Sequence, residues 1–285
     1  MRRLVVNADD LGADEGRNQG IFEAIERGAV TSVSILVNGP GLKDALAEIR
    51  RLGKTRGVSC GIHLNLSEGG PLSGALRLLT GPDGRFLGKA ATQRLLMRSG
   101  DEELEMEVSK ETNEQIRRLR EAGLTVNHLD GHQHVHVFPA VVRAAMKAAA
   151  HHGIPWIRIP DEPHPPGANG LACAAMDEEI RLFSGLAGEA RGFLESHSLR
   201  APDRFFGLSW KGRLTETALE AMVRCLPDGL SELMVHPGRI MSRPPTGSFH
   251  SFSTSEREHE LEILLAPGFR AMLAKEDVEL TPFPP

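Results

Sequence analysis

The chain has 285 residues, 40% hydrophobic and 25% charged, with a net charge of −5. That length suits an α/β barrel, which takes about 250 residues, and the apolar share is enough for a sizeable core. The acidic balance, the lack of a basic stripe interleaved with aromatics and the absence of tyrosine exclude broad nucleic-acid binding.

Short β-rich runs alternate with helix-like stretches along the chain. Leu4 to Ala8 is the first run, followed by a helix carrying Ile21, Phe22 and Ile25 on one face and closed by Gly28. Val33 to Val37 precedes a helix near Gly41 to Leu52, and Val58 to Leu66 is the third run. Residues 67–100 are rich in Gly and Pro and read as a loop, with Pro82-Asp83-Gly84 as a turn signal. A long helix over Asp101 to Ala122 leads to the fourth run, Val126 to Leu129. Pro139 suits the first position of a helix ending near His152-Gly153. Trp156 to Ile159 is the fifth run, and a loop at 160–172 and a helix near Met176 to Ser196 follow. The sixth run is Phe205 to Leu208 and the seventh Leu233 to Val235, with a helix over Thr215 to Cys225 between them. A loop at 237–252 and a last helix over Ser255 to Lys275 precede an eighth strand at Val278 to Thr281.

This alternation predicts a mostly parallel sheet covered by helices. The expectation is one domain over residues 1–285, an irregular TIM-like (β/α) barrel with long loops at the C-terminal strand face. A doubly wound open sheet is the alternative. No run of about 18 apolar residues spans a membrane. Asp9-Asp10 follows too soon after the start for a signal peptide. Cys60, Cys173 and Cys225 form neither a CxxC pair nor a disulfide framework. These features point to a cytoplasmic protein, and base rates make a homodimer the default assembly.

The chemistry-bearing residues fall at C-terminal strand ends. Asp9 and Asp10 end the first run, His63 lies late in the third, and His128, Asp130, His132, His134 and His136 follow the fourth. Arg158 lies in the fifth and His236 ends the seventh. In a parallel barrel these ends share the face that carries the active site. Asp10 with two imidazoles makes a mixed oxygen and nitrogen donor set, which suits Zn²⁺ or another transition ion better than Mg²⁺. Three protein ligands leave positions open for water and substrate, and such an ion lowers the pKa of its water towards about 7. Asp9 would then be the general base, provided the chain turns near Gly12, because neighbouring side chains on a strand point to opposite faces. His132, His134 and His136 would face one way if that segment is extended, and spacing alone does not choose among them. Each residue also has a structural reading: Asp9-Asp10 as a turn or helix cap, with Asp14 an equal capping residue, His63 as a core histidine, Arg158 as an ion-pair partner and His236 as a strand end.

Five motifs resemble those of the YdjC-like carbohydrate deacetylases, the group that includes chitooligosaccharide and hopanoid-associated deacetylases. They are Val6-Asn7-Ala8-Asp9-Asp10-Leu11-Gly12, Thr31-Ser32 with Asn38-Gly39, Gly61-Ile62-His63-Leu64, the run His128 to His136, and Glu232-Leu233-Met234-Val235-His236-Pro237-Gly238. Leu11 stands where many relatives carry Phe. The resemblance implies an irregular barrel that removes the acetyl group from an N-acetylated sugar. It implies one divalent ion, often Mg²⁺, where the donor set alone points to Zn²⁺, on Asp10, His63 and His132, with Asp9 as base and His236 as acid on the leaving amine. Arg158 would orient Asp9 or another carboxylate by a charge-assisted hydrogen bond. Two rival functions remain open. One is a barrel phosphoesterase with a second metal on Asp130, His134 and His136, and the other is a sugar- or metal-binding protein without turnover.

Overall fold

The computed structural model describes all residues except 163–173, 243–247 and 250–253. Much of the loops expected at 160–172 and 237–252 therefore lies outside the described residues. Among the described residues eight strands make one sheet: β1 (Arg2–Leu11), β2 (Ser32–Ile35), β3 (Ser59–Leu64), β4 (Val126–Gly131), β5 (Trp156–Ile157), β6 (Arg204–Phe206), β7 (Gly229–Val235) and β8 (Val278–Leu280). Their order is β5-β4-β3-β2-β1-β7-β6, with β8 beside the first residues of β1. Every strand pair is parallel. Among the described residues β5 and β6 do not pair, so the sheet curls into a barrel left open at that seam.

The helices are α1 (Glu15–Glu26), α2 (Leu42–Arg56), α3 (Lys89–Leu96), α4 (Glu102–Glu121), α5 (Val142–His151), α6 (Ala174–Arg191), α7 (Glu216–Arg224), α8 (Ser255–Leu265) and α9 (Pro267–Lys275). They cover the outer face of the sheet with apolar side chains, such as Ile21, Ala24 and Ile25 of α1 and Leu104, Val108, Ile116 and Leu119 of α4. No described helix is long and apolar enough to cross a membrane.

The inner face is different. Asn7, Ser32, Ser34, Ser59, His128, Asp130, Arg158 and Glu232 are all buried and polar. Some of them hydrogen-bond across the strands: Ser59 Oγ donates to Ser32 Oγ (2.9 Å), and Asn7 Nδ2 to Ser34 Oγ (2.8 Å). The lower end is closed by the last residues of the chain. Phe283 stacks on His128 at 4.3 Å, and Trp156 Nε1 donates to the Pro284 carbonyl at 2.8 Å.

Several expectations change on inspection. The stretch 67–100 holds α3, and Glu107 and Glu111 of α4 accept backbone N–H groups from Leu72, Ser73, Leu78 and Leu79. Pro139 is not the first residue of α5, which begins at Val142 with Val141 as its cap. The expected helix 255–275 divides at Pro267, which lacks the N–H an unbroken helix needs and instead starts α9.

Candidate active site

Asp9 and Asp10 share one site because β1 bulges there. The pairing of β1 with β2 shifts between Ala8 and Leu11. Asp10 takes a left-handed backbone, φ 67°, and Gly12 follows at φ 99°. A left-handed aspartate is uncommon and tends to mark functional geometry. The bulge turns both carboxylates inward, so Asp9 points beneath the mouth of the barrel and Asp10 across it.

Asp10 meets two histidines. Its Oδ1 lies 2.9 Å from His132 Nδ1 and 3.3 Å from His63 Nε2, yet it accepts no hydrogen bond of normal geometry. Donors that share an ion at about 2.0–2.2 Å sit about 3 Å apart, so this spacing fits a cation between them. Candidate ligand atoms of Asp10, His63 and His132 all lie within 4.8 Å of one another. His63 is aimed by Asp130, whose Oδ1 is 2.7 Å from His63 Nδ1. A carboxylate behind a ligating imidazole is the usual outer support of a metal-bound histidine.

The local charge points the same way. Burial would push the His63 imidazole down, but Asp130 and Asp9 beside it, with Asp10, raise it to about 10. Burial would raise Asp10, but Arg17 and His132, with His63, hold it well below the usual carboxylate range. Asp9, Asp10 and Asp130 outnumber their buried guanidinium partners, Arg17 and Arg158, while burial raises the Glu232 carboxyl to about 7. The cluster holds a proton on His63 where a divalent ion would supply positive charge instead.

Asp9 is held rigidly. Arg158 donates to both of its oxygens, Nη1 to Oδ2 and Nη2 to Oδ1, each at 2.7 Å, and Asn7 Nδ2 adds a bond to Oδ1 at 2.8 Å. Arg158 is fully buried and also reaches Asp130 Oδ2 (2.9 Å) and Glu232 Oε1 (2.8 Å). One guanidinium therefore ties the Asp9 carboxylate to the residue that aims His63. His236 Nε2 lies 4.0 Å from Asp9 Oδ2, and its backbone N–H is fixed by Glu260 Oε2 at 2.6 Å. Burial, then Arg257 and Lys211, hold the His236 imidazole well below its ordinary range.

The histidine run is not extended. Residues His132–Val137 form a tight 3-10 turn with Gln133 and His134 at φ 54° and 56°, so the three rings diverge. His132 enters the cluster. His134 packs against Phe183 at 4.7 Å, and His136 Nε2 meets the Arg158 carbonyl at 3.0 Å. Among the described residues Asp130 falls in a second candidate donor group with Asp9 and His63, not with His134 and His136.

A narrow pocket opens over Asp9, Asp10, His63, His132 and His236, with Phe183, Leu208 and Met234 as an apolar wall and Lys89, Lys211 and Arg257 on its polar side. Sequence reasoning placed Asp130 but gave it no part in this centre, and it missed Arg17 and Glu232. Glu232 left a legible trace, a charge inside a strand that is buried along Leu230 to Val235. Arg17 left none, since an arginine in the first turn of a helix reads as solvated.

A solved structure from Enterococcus faecalis V583, described as a candidate cellobiose-phosphate cleavage protein, shares this fold with a TM-score of 0.72 at 22% identity, covering 99% of this chain and 97% of that one. A carbohydrate deacetylase of Homo sapiens is 40% identical over 299 residues, covering 98% of this chain and 89% of the relative. A carbohydrate deacetylase of Brevibacillus brevis is 31% identical, covering 99% and 98%. Residues 3–275 match the profile of the YdjC-like proteins, and the chain belongs to that family.

Proposed function

We propose that the chain, acting as one domain, is a carbohydrate deacetylase that hydrolyses the acetamide of an N-acetylated sugar with one divalent ion on Asp10, His63 and His132. The observation that carries this reading is the convergence of a buried donor set, Asp9 and His236 on one cavity beneath the C-terminal strand ends. The naming of the human and bacterial relatives as carbohydrate deacetylases supports the substrate class. The mixed donor set favours Zn²⁺ or another transition ion over Mg²⁺.

When bound, the ion would polarise the acetamide carbonyl and acidify a water. Asp9 takes the water's proton at Oδ2, the oxygen that faces His63 and His236 at 3.9 and 4.0 Å. The Arg158 fork fixes the carboxylate plane, so little reorganisation accompanies that transfer. The His236 imidazole is neutral at rest. It therefore takes at Nε2 the proton that Asp9 Oδ2 removed from the water, 4.0 Å away, and delivers it to the departing amine as the C–N bond breaks, which leaves Asp9 ionised and His236 neutral again. The wall of Phe183, Leu208 and Met234 suits the acetyl methyl group and excludes water.

Acetate release from a panel of N-acetylated mono- and oligosaccharides and glycolipids tests this directly. Protein stripped of metal and reloaded with Mg²⁺, Zn²⁺, Mn²⁺ or Co²⁺ should release acetate only when reloaded. Release from none of these substrates with any ion, alongside phosphoesterase turnover, would overturn the reading.

A further inference from the structure

We propose that Arg17 is a positioning residue that makes Asp10 a one-oxygen ligand and leaves the bound ion's charge only partly neutralised, an inference that rests on the metal-hydrolase reading above. Arg17 is buried, and its Nη1 donates to Asp10 Oδ2 at 2.7 Å. The other oxygen, Oδ1, is the one that faces His132 and His63. The two oxygens of Asp10 therefore have separate tasks.

The arrangement is built into the start of α1. Asp14 caps that helix, its Oδ1 accepting the Arg17 N–H at 2.9 Å, while its Oδ2 lies 3.8 Å from Arg17 Nε. Asn18, the next residue, accepts the Gly12 N–H at 2.8 Å and so ties the helix to the bulge that turns Asp10 inward. The bulge and the first helical turn thus aim the guanidinium at the back of the carboxylate.

Two effects follow. For Asp10 to chelate with both oxygens it would have to give up a charge-assisted hydrogen bond from a buried guanidinium. A fixed positive charge behind the ligand also repels a divalent ion and draws electron density from Asp10. The ion then keeps more of its charge for the substrate carbonyl and the attacking water. Arg17 thereby weakens ion binding and strengthens the ion as a Lewis acid.

The test uses the full chain stripped of metal. X-ray absorption of the Zn²⁺-loaded wild type should show no long second oxygen from Asp10. In Arg17→Gln, Co²⁺ should bind about tenfold more tightly or better, and its visible absorption should weaken as the coordination number rises. Turnover should fall with KM held. Arg17→Lys keeps the charge, so its Co²⁺ affinity should stay within about threefold of wild type. Chelation by both Asp10 oxygens in the wild type would overturn the proposal. So would an Arg17→Gln protein with wild-type or weaker affinity and an unchanged spectrum. If Arg17→Gln fails to fold, the wild-type absorption edge and the Arg17→Lys affinity still decide. A wild-type chain that takes up no Co²⁺ would instead refute the metal-hydrolase reading itself.

Discussion

His63 and His128 are both buried histidines on the inner face of the barrel, on adjacent strands, yet their surroundings drive them apart. His128 lies at the closed lower end, with Ser34 Oγ at 2.9 Å and the Phe283 ring stacked on it, and burial pushes its imidazole down to about 3. His63 lies at the open upper end among Asp130, Asp9 and Asp10 and is raised to about 10. Burial does not distinguish a structural histidine from a functional one. What does is whether several carboxylates crowd the ring, as around His63, or a single one at 4.0 Å is offset by Arg158, as with Asp130 at His128, and whether a cavity opens beside it.

Substitution breaks this comparison most sharply at His63. His63→Ala should abolish ion uptake and turnover together, read by metal content and acetate release. Arg158→Met comes next, because it strands Asp9, Asp130 and Glu232 in a buried place. A loss of about 3–5 kcal/mol is expected in denaturant unfolding, along with loss of turnover. His128→Leu should behave as a structural change only. It should cost about 0.5–1.5 kcal/mol through the lost hydrogen bond to Ser34, which keeps Asp130 and Asn7 as partners, with ion affinity and turnover near wild type. A ligand-like loss of metal in that variant would collapse the distinction between the two ends. Gly61→Ala belongs with it, since a Cβ there would run into the His128 ring, and it should lower Tm without altering turnover per folded molecule.

The smallest effect concerns pH. Burial pushes His136 down to about 4, while an unfolded histidine titrates near 6.5. Its neutral form therefore contributes full stability above about pH 6.5, and that contribution is lost as pH falls towards 4. Calorimetry of metal-free protein should show Tm dropping between pH 7.5 and 5. In His136→Gln that drop should shrink, since Gln can still donate to the Arg158 carbonyl. An equal drop in both proteins would remove His136 from the account.

The alternation of strands and helices was legible in the sequence because apolar runs and helical periodicity are local signals. The convergence of Asp9, Asp10, His63 and His236 followed from the rule that parallel strand ends share a face. The choice of His132 over His134 and His136 was not legible. It depends on two left-handed residues, Gln133 and His134, that fold an apparently extended run into a turn. The open seam between β5 and β6 depends on long-range pairing that no local pattern reports. Pro267 did carry a readable stop, but the apolar periodicity on both sides of it masked the break. Arg17 and Asp130 gain their meaning only from partners brought in by the fold.

The most direct test compares wild type with Asp9→Asn, each stripped of metal and titrated with Co²⁺ while acetate release from an N-acetylated oligosaccharide is followed. Both proteins should bind one equivalent, and only the wild type should turn over, with the variant slower by about 10²–10⁴-fold. Near wild-type release by Asp9→Asn, or undiminished release by the stripped wild type, would contradict the account.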